Sequence, residues 1–90
     1  SKNWKNGQKR KLKFTYQEQK DYESIEGQMA ALEDKIATLE ADFSKYASDL
    51  VKLIELTQEK EAAEQQLEEK MERWMYLEDL AARIERGEEN

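Results

Sequence analysis

Lys2, Lys5, Lys9, Arg10, Lys11 and Lys13 put six positive charges into the first thirteen residues, with no acid among them. Side chains of this kind and density neutralise phosphates and release condensed counterions, giving salt-dependent binding with little sequence preference. Lys20 extends the set toward the first helix. Trp4 sits among the lysines without apolar neighbours, open equally to stacking on a base and to an idle place in a linker. Residues 14–90 hold nine basic side chains against all 21 acids, a balance of −12, so arm and rod suit different partners. An acidic rod repels a phosphate backbone, which confines contact with DNA or RNA to the arm and its junction. The bland reading of the same arm is a soluble tether between domains, or an arm that lies against its own acidic rod.

Other chemistry is thin. The chain has no histidine, no cysteine and no Gly-x-x-x-x-Gly-Lys phosphate loop. Nucleophile–base pairs built on His or Cys, thiolate metal sites and disulfides are thereby excluded. Glu64, Glu68 and Glu72 recur every four residues, the pattern of one solvated helical stripe whose like charges mildly oppose the helix. The expectation is a non-catalytic chain with no cofactor, metal or small-molecule substrate of its own. Apolar runs are too short for a membrane span or a signal peptide, so the expected compartment is the cytoplasm and no membrane partner is foreseen. Opening on Ser1, the chain is expected to be a piece of a longer protein.

Two helical runs must position these charges. Tyr22, Ile25, Met29, Leu32, Ile36, Leu39, Phe43 and Tyr46 alternate at spacings of three and four, which keeps one seam on one side of a helix. A second run comprises Leu53, Leu56, Ala63, Leu67, Trp74, Leu77, Ala81 and Ile84, with Lys60 and Lys70 at its two polar seam positions. The runs are out of phase, and the phase is lost across residues 44–49, so a turn is expected there. The predicted fold is all-α: an antiparallel two-stranded coiled-coil hairpin with a kinked first helix and an aromatic-rich stem. Residues 1–13 form the arm and 14–87 the hairpin domain, with helices at about 16–45, interrupted near 27, and at 49–86; residues 88–90 are a frayed tail.

Local signals set the ends. Thr15 and Glu18 fit a capping box, Ser48 or Asp49 suits the second N-cap, and Gly87 can supply a left-handed terminal residue. Gly27 is the expected break, since glycine inside a helix costs about 1 kcal/mol relative to alanine. Met71 and Met75 widen the apolar face beside Trp74, and Leu12, Phe14 and Tyr16 are expected to cover it. Helically spaced aromatics form core more often than ligand sites, so Trp74 is read as the stem's main anchor. Of the two antiparallel registers, one sets Tyr22 opposite Leu77, Ile25 opposite Trp74, Leu32 opposite Leu67 and Phe43 opposite Leu56. It is preferred because the other leaves Trp74 and Leu77 unpartnered, although it requires Lys60 and Lys70 to snorkel outward.

Lys11-Leu12-Lys13-Phe14-Thr15-Tyr16-Gln17-Glu18-Gln19-Lys20-Asp21-Tyr22-Glu23 resembles the lysine-rich segment that opens the C-terminal domain of Uup-type ABC-F ATPases. Glu69-Lys70-Met71-Glu72-Arg73-Trp74-Met75-Tyr76-Leu77-Glu78 resembles the Glu-Arg-Trp-Glu-x-Leu motif that closes it. The resemblance covers roughly residues 9–86. Gly27 departs from it where some relatives carry proline, and the short turn lacks the Asp-Pro of others. What the resemblance implies is a parent with two ATP-binding cassettes, which would use ATP and Mg²⁺, and no membrane domain. It also implies action on the ribosome for many relatives, and DNA binding by this coiled coil. The alternative reading is a structural spacer, or a coiled coil whose tip touches a protein or the ribosome.

Overall fold

The computed structural model describes residues 10–90, and two helices account for most of them: α1, Tyr16–Lys45, and α2, Leu50–Glu85. The start of α1 is fixed by the reciprocal box. Thr15 Oγ1 accepts from the Glu18 amide at 3.1 Å, and Glu18 Oε1 accepts from the Thr15 amide at 2.9 Å. Tyr46, Ala47 and Ser48 make the turn, and Asp49 caps α2 by accepting from the Lys52 amide at 3.1 Å. At the far end Gly87 takes φ +75°, its amide donates to the Ile84 carbonyl, and the Glu88 amide donates to that of Arg83. That pair of bonds is a Schellman stop, whose left-handed position favours glycine because it has no Cβ.

α1 and α2 pack side by side as an antiparallel hairpin extending 77 × 19 × 15 Å. Its radius of gyration is 20.9 Å, whereas a compact domain of this length would have about 12 Å. So thin a body encloses little. Among the described residues only Ile25, Leu39, Leu56, Ala63, Leu77 and Leu80 are buried, with Leu77 at 0% exposure. Burying each of the leucine and isoleucine side chains contributes roughly 1.5–3 kcal/mol, and much of the helices' stability comes from this shared stripe.

Cross-links accord with the preferred register. Tyr22 Oη donates to Glu78 Oε2 at 2.9 Å, beside the layer that pairs Tyr22 with Leu77. Lys60, level with Leu39, turns its Nζ out between Glu64 at 2.9 Å and Glu40 at 3.8 Å. Reaching diagonally, Arg73 bonds Asp21 and Tyr76 Oη donates to Glu18 Oε2 at 2.6 Å.

Four expectations need correction. α1 runs through Gly27 without interruption. Gly27 is exposed on the outer side of a seam that buries Ile25 and half-buries Met29, and those contacts outweigh a penalty of about 1 kcal/mol. Residues 88–90 are not a frayed tail: the Leu12 amide donates to the Glu88 carbonyl at 2.8 Å and the Asn90 amide to that of Arg10 at 3.0 Å. Lys11 and Glu89 thus face each other in a one-pair antiparallel bridge. The stem's broad face is covered only in part, because Tyr16, Met71 and Met75 stay largely exposed while Leu12 and Phe14 turn in. Trp74 is half-buried rather than the central anchor, and its Nε1 is shut from solvent without an acceptor among the described residues. Leu80, outside the expected seam, is buried in its stead.

Candidate nucleic-acid interface

The basic residues converge on the stem. Lys2, Lys5 and Lys9, with Trp4, lie outside the described residues; Arg10, Lys11, Lys13 and Lys20 are all placed and all exposed. Residues 11–14 alternate like a strand, with Lys11 and Lys13 turned outward and Leu12 and Phe14 half-buried. The Phe14 ring sits 5.1 Å from that of Tyr22, tilted by 35°. Pairing with the tail and this aromatic contact therefore hold the C-terminal part of the arm against the hairpin. Lys20 projects from the second turn of α1, its Nζ 5.6 Å from the Tyr16 ring centroid.

Several carboxylates close to the arm are already engaged. Glu18 lies below its ordinary value of 4.5, first because the Thr15 amide donates to it and then because Tyr76 does. Asp21 is lowered by hydrogen bonds from Gln17 and then from Arg73. Glu88 is lowered by Arg83 and then Arg86, which bond it at 3.0 and 2.6 Å. Among the described residues no carboxylate comes within ion-pair distance of Arg10, Lys11, Lys13 or Lys20. Such cations remain available to a phosphate oxygen.

Sequence reasoning offers the tip around residues 43–51 only as the alternative contact and does not foresee its apolar patch. Leu50, Val51 and Ile54 are 71%, 67% and 51% exposed, an apolar patch at the start of α2. Their signal is that all three fall outside the second heptad run, so the seam has no place for them. Beside them Tyr46 is flanked by Lys45 and Lys52, with Nζ 5.7 and 5.2 Å from its ring centroid. The Glu64, Glu68 and Glu72 stripe is exposed, and the described residues hold no acidic cluster shaped to grip a metal ion. No described helix is long and apolar enough to cross a membrane.

Comparison with known proteins adds a lineage to this geometry. The model of the family described as "ABC transporter C-terminal domain" matches residues 13–79. An uncharacterized ABC transporter ATP-binding protein of Bacillus subtilis (strain 168), YfmR, is 38% identical over 69 residues, covering 77% of this chain and 11% of the relative. The chain therefore spans about a ninth of that relative's length. No solved structure matches it significantly.

Proposed function

The chain belongs to the ABC transporter C-terminal domain family, and from that premise we propose that it is the nucleic-acid-binding C-terminal coiled coil of a Uup-type ABC-F ATPase. In this reading the partner is DNA or RNA and the compartment is the cytoplasm. ATP and Mg²⁺ belong to cassettes elsewhere in the parent, and the hairpin performs no chemistry. What supports the reading is the set of exposed cations at the stem, Arg10, Lys11, Lys13 and Lys20, beside carboxylates held by other partners. Contacts of this type fall on phosphates and position the protein without reading sequence.

The test replaces Lys9, Arg10, Lys11 and Lys13 with glutamine and follows retention on immobilised DNA and RNA as salt is raised. The variant should elute at lower salt, and its log–log salt dependence should flatten by about one unit for each duplex phosphate it no longer neutralises. Helicity should be unchanged, since the Arg10, Lys11 and Lys13 side chains are exposed away from the seam and the bridge at Lys11 uses backbone atoms. Unaltered retention on both nucleic acids would refute the assignment.

A second reading rests on the exposed tip residues Leu50, Val51 and Ile54. There the hairpin is a spacer that carries an apolar tip to a protein or ribosomal surface. Under that reading Ile54→Asp abolishes partner binding while the four arm substitutions leave it intact; the nucleic-acid reading expects the reverse.

A further inference from the structure

Midway along the hairpin the seam does not close. On one side Met29, Ile36, Ala37, Leu67, Met71 and Trp74 line two adjoining open hollows of about 320 and 180 Å³, which share Glu33, Leu67 and Met71. Glu33, Glu40, Glu64 and Glu68 stand around the larger one. From Met29 to Glu40 the groove follows α1 for about three turns, or roughly 16 Å. Met71 is 48% exposed within it, and Trp74 forms part of its wall. An apolar channel with charge along its edges is the shape into which an amphipathic helix lays its anchors.

We propose that this groove docks a cationic amphipathic helix of a partner protein, about three turns long, with leucine-like anchors flanked by lysine or arginine. The charge pattern selects that occupant. Four rim carboxylates attract basic flanks and disfavour acidic ones, which fixes orientation and speeds encounter. A second copy would bring the same acidic rim against its own, a like-charge juxtaposition. Nucleic acid is disfavoured for the same reason. Met29 and Met71 are unbranched and polarizable, suited to side chains of varied shape. The rim is only partly neutralised internally: Lys60 pairs with Glu40 and Glu64, leaving Glu33 and Glu68 without a cation within ion-pair distance among the described residues. This docking is independent of the basic arm and of nucleic-acid binding.

The test measures fluorescence anisotropy of a labelled peptide of about 14 residues, with leucines at helical spacing flanked by lysines, titrated with the whole chain. The controls are a scrambled peptide of identical composition and one with glutamate in place of lysine. The patterned peptide should bind about tenfold or more tighter than the scrambled one, and the acidic peptide should not bind. Met71→Gln, an exposed position whose loss leaves the buried seam intact, should weaken the patterned peptide about tenfold with an unchanged melting curve. Glu33→Gln with Glu68→Gln should also weaken it and reduce its salt dependence. Equal binding of the scrambled peptide, or unchanged affinity in Met71→Gln, would overturn the proposal. So would concentration-dependent dimerisation lost in Met71→Gln, which would mean that a second copy fills the groove. Binding seen only after removal of residues 1–9 would assign the groove to the chain's own arm and overturn the partner proposal as well.

Discussion

At the scale of single residues, burial rather than size decides which side chain holds the stem. Leu77 is fully enclosed, whereas Trp74 keeps part of its ring in solvent and a donor without a partner. Leu77→Ala leaves a cavity and should cost about 2–5 kcal/mol. Trp74→Ala forfeits less packing and removes an unsatisfied N–H whose burial costs about 1–3 kcal/mol, so it should cost about 2 kcal/mol. Paired chemical melts decide the order, and a larger loss for Trp74→Ala would return the anchor role to the tryptophan. Titration gives a second expectation. Glu18 is lowered from its ordinary 4.5 by the Thr15 amide and then by Tyr76, so its contribution is complete above that value and fades as pH falls through the lowered one. Glu18→Gln should therefore be less stable than the parent chain at neutral pH, and the gap should close on acidification. Comparing the two chains cancels the relief of repulsion along the acidic rod, which both share. A gap that persists in acid would mean that shape, not charge, fixes Glu18.

The elements divide into what periodicity can express and what it cannot. Both helices and the turn between them were legible because the seam repeats over many turns. The repeat says nothing about backbone pairing between two short irregular segments, so the bridge of Lys11 to Glu89 left no signal beyond the alternation of Lys11, Leu12, Lys13 and Phe14. Leu80 was missed for a related reason: it is buried at a position off the two-stranded seam. Part of the candidate interface was equally legible. Clustered lysines are visible in any reading, but the engagement of Glu18, Asp21 and Glu88 by other partners depends on folding. Gly27 shows a local propensity overridden by packing. A Cβ built there meets nothing within 4 Å, so Gly27→Ala should stabilise the hairpin by about 0.4–1 kcal/mol. Thermal melts check this, and a destabilised variant would show that α1 needs the glycine's freedom.

Viewed whole, the molecule is a long narrow body whose described ends, Arg10 and Asn90, meet at the stem, far from the turn at Tyr46. That arrangement governs how it bears a load. Tension applied through the two ends peels the helices apart crosswise, so each layer resists alone; tension along their length would shear all layers together. The bridge between residues 10–12 and 88–90 is the first to open, followed by the links from Glu18, Asp21 and Tyr22 to α2. The layers around Leu39 and Leu56 should yield last. In an optical trap, pulling from the two ends should give gradual lengthening at low force, and one abrupt high-force rupture would contradict it. Held by both ends, the hairpin is a zip fastener: easily opened from the stem, and able to close again from the turn when the pull relaxes.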